Sequence, residues 1–264
     1  KMSDYKNNIG VKPQKVVQKN TKHTTRQWIY GYHTVLSALQ NPRRQIFRIL
    51  ATKKAAAKLH QYIKAEAFEI TKSKEIGNLL SPDAVHQGIA AEVMPLPVRS
   101  LDEIINTNHI KERTLFIVLD QVSDPRNVGA IVRSAVAFGA SAIIQQNRNA
   151  PSATRTMAKA ASGGLEHIDF ISVPNVAQVI QKLKKNSFWT IGLDSNAISN
   201  LGDIELPKKC CLVLGSENIG LRRLTKQICD TTVKIPMSAN IDSLNISNAA
   251  AVAMYEYSRQ HFKN

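Results

Sequence analysis

Three short polar stretches carry the side chains best suited to chemistry in this chain. The first, residues 120–133, reads Asp-Gln-Val-Ser-Asp-Pro-Arg-Asn-Val-Gly-Ala-Ile-Val-Arg. Asp124-Pro125 turns the chain, Asn127 stands where a helix should begin, and Gly129 allows a close approach. Arg133 falls about one and a half helical turns beyond Asn127. Its neighbours Ile131, Val132, Ala135 and Val136 make the helix largely apolar, so the expectation is a buried arginine in need of an anion rather than a solvated surface one. The second stretch is Gly-Ser-Glu-Asn-Ile-Gly at residues 215–220, directly after an apolar run. Glu217 there can cap the following turn, or hold Arg133 or Asn127. The third, residues 235–247, sets Ser243, Asn245 and Ser247 around an apolar Leu244 after an Ile235-Pro236 step. A helix N-cap explains one or two of these residues but not the set. Asn offers two donors and an acceptor and Ser one adjustable hydroxyl, a combination that orients a polar reactant without a strong base. The backbone after Pro236 suits recognition of an adenine edge, with Ile235 and Leu244 on either side of a flat base.

Several common chemistries are excluded. A phosphate loop needs Lys and then Ser or Thr after its second Gly, and Leu221-Arg222 follow Gly220 instead. There is no Gly-x-Gly-x-x-Gly, and Gly163-Gly164 stands alone. Cys210, Cys211 and Cys229 form no Cys-x-x-Cys pair and the seven His are scattered, so no structural zinc is expected and a reducing, cytoplasmic setting fits.

Alternating strands and helices must position these stretches. Residues 114–120 form a continuous apolar run of the kind buried on both faces of a parallel sheet. Further strands are expected at 141–145, 167–173, 188–193, 211–215 and 231–235, with helices between most of them, which describes an open α/β sheet. Such sheets bind ligands at the carboxyl ends of their strands, where all three polar stretches lie. Ahead of this unit the pattern predicts a smaller α/β unit: helices at 33–39, 53–66 and 74–80, and strands at 46–51, 68–71 and 87–93. A linker over 95–113, punctuated by Pro95 and Pro97, contains a short helix at 101–105. The division expected is a basic flexible tail at 1–27, a small unit at 28–94, the linker, and a larger unit at 114–264.

Lys and Arg number 35 against 20 acids, a formal charge of +15, which points to an anionic partner with nucleic acid first. No apolar run approaches the roughly 18 residues a membrane span requires.

The motifs Asn127-x-Gly129-x-x-x-Arg133, Leu212-Val-Leu-Gly-Ser-Glu217 with Gly220, and Ile235-Pro-Met with Ser243-Leu-Asn-Ile-Ser247 resemble, in order, those of the SpoU (TrmH) branch of SPOUT methyltransferases. Residues 29–33, Ile-Tyr-Gly-Tyr-His, through residues 84–88, Ala-Val-His-Gln-Gly, look like the small ribosomal-protein-like RNA-binding domain that precedes the catalytic domain in ribosomal RNA guanosine methyltransferases. Two positions depart from the pattern: Ala239 and Gln121 stand where Gly is common. The resemblance implies a parallel α/β domain with a deep C-terminal trefoil knot, S-adenosylmethionine bound in that knot, and a homodimer acting on a ribose 2′-hydroxyl of RNA. The closest type acts on a guanosine of large-subunit ribosomal RNA. It further implies cofactor contacts at Gly215, Ile235 and Leu244 and a catalytic set of Asn127, Arg133, Glu217, Ser243 and Asn245. In that set Arg133 would bind phosphate and the developing alkoxide while Glu217 orients it. Two alternatives are a transfer-RNA ribose methyltransferase and a non-catalytic RNA-binding or ribosome-assembly factor. The second has no need of the polar set.

Overall fold

The computed structural model describes residues 26–60, 62, 67–107, 113–146, 155–238, 240 and 243–262, with the side chains of 155 and 156 excepted. The basic tail over residues 1–25 lies outside the described residues.

The first sheet has four strands, β1 (Gln27–Tyr30), β2 (Ile46–Ala51), β3 (Glu69–Ile70) and β4 (Ile89–Val93), in the order β1-β4-β2-β3. The strands alternate in the ordinary period of two. Ile29, Ile49, Ala51, Ile89, Ala91 and Val93 turn to one core with Val35 and Leu59. Leu50 and Ala90 turn to another with Ile76, under Trp28 and Tyr30. Helices α1 (Tyr32–Gln40), α2 (Lys53–Leu59) and α3 (Ser73–Asn78) cover these faces. Thr52 caps α2, accepting from the Ala55 N–H at 3.3 Å. Two corrections arise. The helix expected over 53–66 ends at Leu59, with His60 as its C-cap and residues 61 and 63–66 outside the described residues. Gln27, assigned by sequence to the tail, opens β1, whose pairing with β4 carries four residues too short a run to show an alternating pattern.

Helix α4 (Leu101–Asn106) follows, started by a capping box between Ser100 and Glu103. The second sheet then takes β5 (Thr114–Leu119), β6 (Ala142–Gln146), β7 (Asp169–Val173), β8 (Trp189–Leu193), β9 (Ser199–Asn200), β10 (Lys209–Leu214) and β11 (Thr231–Lys234). Their order is β7-β6-β5-β10-β8-β11-β9 and every pairing is parallel. The two-residue β9 had no sequence signal. All six residues of β5 are buried because the sheet is covered on both faces. Leu115, Ile117 and Leu119 meet the core that holds Ile131 and Val132 of α5 (Pro125–Ala137), Met157 of α6 (Arg155–Ala161), and Ala250, Met254 and Tyr257 of α9 (Ile246–His261). Phe116 and Val118 meet Val176, Val179, Ile180 and Leu183 of α7 (Val176–Lys185) on the opposite face. Helix α8 (Arg223–Ile228) lies between β10 and β11 in sequence.

The chain leaves β5 toward β6, whereas β10 arrives beside β5 from the β8 side. The carboxyl ends of β5 and β10 are thus neighbours at a switch point, where the Asp120 N–H donates to the Leu214 carbonyl at 2.8 Å. Packing of α5 on α6 is unusually close: a Cβ at Gly129 would lie 2.4 Å from the Ala160 Cβ and 2.6 Å from the Met157 carbonyl oxygen, so only glycine fits. The two sheets are tied to each other by charge. Arg44 pairs with Glu166 at 2.5 Å, their side chains 4% and 3% exposed, and the Asn41 amide donates to the same carboxylate at 2.8 Å. Arg43 and Arg99 both pair with Asp169, at 2.7 and 2.9 Å.

Candidate active site

Each polar stretch is positioned by an ordinary local device. Asp124 caps α5, accepting from the Arg126 N–H at 2.8 Å, and Pro125 takes the first helical position, where its missing N–H costs nothing. Asn127 therefore sits in the first turn, at the carboxyl end of the sheet. In the second stretch Ser216 and Gly220 exchange two backbone bonds, Ser216 N–H to Gly220 carbonyl at 3.1 Å and the reverse at 2.8 Å. Gly220 turns with φ +70°. A Cβ at Gly215 would lie 2.0 Å from the Gly220 carbonyl carbon, so the buried Gly215 is required for this loop to close. The loop carries Glu217 outward into an exposed position. In the third stretch Asn245 caps α9 and accepts from the Ser247 N–H at 2.9 Å and its hydroxyl at 2.6 Å.

These devices bring three of the five expected catalytic residues into contact. The Asn127 amide donates to Glu217 Oε1 at 2.6 Å. The Asn245 amide donates to the same oxygen at 2.8 Å and to Asn127 Oδ1 at 3.1 Å. Because Asn245 Oδ1 is engaged by the helix start, its Nδ2 must face the other two residues, which fixes the amide's orientation. Capping and site chemistry are two halves of one side chain.

The remaining expected residues are placed differently. Arg133 is exposed, contrary to the expectation of burial, and among the described residues it has no ion pair or side-chain hydrogen bond. The cause is helical phase: α5 buries Val128, Ile131, Val132 and Ala135, and Arg133 falls off that stripe. Glu217 accordingly binds Asn127 and Asn245 and does not orient Arg133, the second of its sequence alternatives being realised only for Asn127. Ser243 is exposed just ahead of Leu244, which is 36% exposed. Ile235 is half-buried at the end of β11, packed on the main core.

An ion pair between a buried carboxylate and a partly exposed arginine had no place in the sequence reading. Asp120, whose side chain is fully buried, faces Arg222 at 2.6 Å, in charge contact rather than a straight hydrogen bond. It joins the start of the first stretch to the end of the second. An acid placed directly after a six-residue apolar strand was the available signal.

The donor set is one of amides, hydroxyls and a carboxylate, and among the described residues no group of three His, Cys, Asp or Glu could hold a metal. Within the third stretch Met237 and Ser238 make no backbone bond to another described residue, and both are exposed beside Ile235. This free backbone next to an apolar side chain fits the adenosine part of S-adenosylmethionine. Among the described residues no helix is long and apolar enough to cross a membrane.

Comparison with known proteins identifies the family. Residues 114–255 match the model of the SpoU rRNA Methylase family, and residues 28–98 match that for RNA 2′-O ribose methyltransferase substrate binding. The chain is 36% identical over 245 residues to the 23S rRNA (guanosine-2′-O-)-methyltransferase RlmB of Acinetobacter baylyi, covering 89% of this chain and 97% of that protein. It is 34% identical over 247 residues to the protein of the same name from Burkholderia sp, with the same two coverages of 89% and 97%. Among solved structures, the SpoU methyltransferase AviRb from Streptomyces viridochromogenes in complex with the cofactor AdoMet shares the fold, with a TM-score of 0.74, 24% identity, and 89% and 90% of the two chains covered. The chain belongs to the SpoU family of S-adenosylmethionine-dependent RNA 2′-O-ribose methyltransferases.

Proposed function

We propose that this chain methylates the ribose 2′-hydroxyl of a guanosine in large-subunit ribosomal RNA. The observation that carries the reading is the bonded triangle of Asn127, Glu217 and Asn245 at the switch point of the parallel sheet. S-adenosylmethionine supplies an activated methyl on a sulfonium. When bound it would supply that methyl to the ribose oxygen and be left as a neutral thioether, the hydroxyl proton passing to solvent or phosphate. The protein's part is alignment and stabilisation of the oxygen as it loses its proton.

Gly215, Ile235 and Leu244 hold the cofactor in this reading, while Asn127, Ser243 and Asn245 fix the ribose. Arg133 binds phosphate and the developing alkoxide. Its exposed planar fork suits a phosphate of the bound nucleotide. The units proposed are an RNA-binding unit at 28–94, a linker at 95–113 and a methyltransferase unit at 114–264. A deep trefoil knot in the last is supported by β10 lying between β5 and β8 although it follows both in sequence, and by α9 returning from β11, two strands beyond β10, onto α5. A homodimer is supported by the exposed apolar side of α9, where Val252 and Tyr255 are 41% and 54% exposed. A cytoplasmic location goes with the ribosomal substrate.

The test maps 2′-O-methyl groups in ribosomal and transfer RNA from cells with and without the protein. One guanosine methyl lost from large-subunit RNA is the expected result. A methyl lost only from transfer RNA corrects the substrate, and no loss from either pool overturns the function. Single-turnover methylation by Arg133→Ala at the wild-type rate would remove Arg133 from the mechanism.

A further inference from the structure

We infer that a cavity at the carboxyl ends of β6 and β7 seats a guanine base of the substrate RNA, with Gln146 and Arg222 reading its edge. This rests on the methyltransferase reading above and adds the residues that select the base. The cavity has a volume of about 430 Å³, in the range of small-molecule sites. Gln146 lines it at the end of β6, Pro174 and Ala177 beside the start of α7, and Arg222 and Leu224 at the start of α8.

The period of two along the strands puts polar groups here, on a face that is otherwise apolar. Phe116 and Val118 of β5 and Ala142 and Ile144 of β6 face the core under α7, so Asp120 and Gln146, next in phase, face the same side. Gln146 is 7% exposed. Its Nε2 donates to the Pro174 carbonyl at 3.4 Å, which fixes the amide's orientation, and its Oε1 is buried with no hydrogen-bond partner among the described residues. The Arg222 Nε–H is likewise buried without an acceptor, although Nη2 of the same guanidinium lies 2.6 Å from Asp120. Buried polar groups are rarely left so, and an unpartnered acceptor and donor beside one cavity point to a ligand that carries the opposite pair.

Guanine has that pair on one edge: its N1–H and 2-amino group donate and its O6 accepts. Gln146 Oε1 takes the donors, and the Arg222 Nε–H gives to O6. Adenine reverses the edge, setting its amino group against Arg222 and a ring acceptor against Gln146. Uracil offers a carbonyl and an N–H, but a second carbonyl stands where guanine has its amine. A phosphate fits less well, because Asp120 already balances Arg222 and an anion would meet that carboxylate and the Gln146 carbonyl. Pro174, Ala177 and Leu224 offer apolar surface to the faces of a flat ring. The Asp120–Arg222 pair also links the cavity to the reacting centre. Asp120 opens the stretch that runs to Asn127, and Arg222 follows the Ser216–Gly220 turn that carries Glu217.

The test uses the full chain, labelled at its arginine nitrogens for NMR and titrated with guanosine, inosine, adenosine, uridine and inorganic phosphate. The Arg222 Nε–H signal is identified by its absence from Arg222→Lys. Guanosine should shift it saturably, and inosine, which lacks the 2-amino group, should bind more weakly. Adenosine, uridine and phosphate should leave it in place. Gln146→Leu keeps the side-chain volume and removes the acceptor, so its urea midpoint should stay near that of wild type. In that variant guanosine should bind roughly 5- to 150-fold more weakly, the worth of one base edge read, and the preference over inosine should vanish. No shift with guanosine, equal shifts with guanosine and adenosine, or a shift with phosphate alone overturns the inference. So does guanosine binding unaltered in Gln146→Leu. Methyl transfer from labelled S-adenosylmethionine to unmethylated ribosomal RNA is measured alongside. Transfer without guanosine binding sinks only the cavity, whereas guanosine binding without transfer to any RNA sinks only the methyltransferase reading.

Discussion

Asn245 links the stability of α9 to the geometry of the site, and two substitutions separate those duties. Asn245→Ala removes both halves of the side chain: the cap that accepts from Ser247 and the donors to Glu217 and Asn127. Loss of an N-cap costs about 0.5–2 kcal/mol. The two donated bonds are exposed, so they add no more than ~1 kcal/mol. The sum, about 1–3 kcal/mol, lowers the melting temperature by roughly 2–10 °C for a chain of this size. Asn245→Asp keeps the capping acceptor, and Asp is as good an N-cap as Asn. It replaces the donors by a carboxylate facing Glu217, which pushes the triangle apart. The expected pattern is therefore a melting temperature near wild type for the Asp variant and a lowered one for the Ala variant. Single-turnover methylation should fall by roughly 10²–10³ in both, the usual cost of losing an aligned donor. Calorimetry and quenched-flow methylation at saturating cofactor read the two quantities. Methyl transfer by Asn245→Asp at the wild-type rate would refute the argument, because it would show that the triangle has no part in alignment.

Three further outcomes follow from the same geometry. Gly215→Ala should lose cofactor binding in a calorimetric titration and lower the denaturation midpoint, since its Cβ would be placed 2.0 Å from the backbone of Gly220 and no flexible side chain can yield. Arg44→Met and Glu166→Leu should each destabilise the chain by about 3–5 kcal/mol in urea melts, and the double variant should be more stable than either, because a buried charge without its partner is worse than no pair at all. For Asp230, burial raises the carboxyl pKa, but bonds from Lys184 and Thr190 outweigh it and hold it below the ordinary value. A lowered folded pKa gives stability that is present above the unfolded value, near pH 4, and is lost as pH falls through the folded one. The gap in urea midpoint between wild type and Asp230→Asn should therefore be wide at pH 7 and narrow at pH 3; an unchanged gap would count against the assignment.

The polar residues of the site were legible by type, spacing and order, and so was the parallel sheet beneath them, because a run such as residues 114–119 has few other uses. What could not be read was partnership. Asn127 meets Glu217 across 90 residues and Asn245 across 118, and no local pattern encodes contacts at such separations. Arg133 has apolar neighbours in sequence that are not its neighbours in space, because the helix turns it away from its buried stripe. The Arg44–Glu166 pair, 122 residues apart, gave no sequence signal for the same reason. The strands β1 and β9, four and two residues long, carry no run of alternation to read.

Placing β10 between two strands made earlier has a consequence for the order of assembly. Its hydrogen-bonding partners β5 and β8 must leave a gap until residues 209–214 arrive, and the site is still unfinished then, since Asn245 comes from the start of α9. A chain emerging from the ribosome therefore lacks the Asn127–Glu217–Asn245 triangle until α9 docks on α5. Folding dominated by such distant contacts is slow, and methylation capacity appears in one late step rather than by degrees. A nascent chain halted before α9 has every strand of both sheets and still lacks Asn245, the residue that closes the triangle.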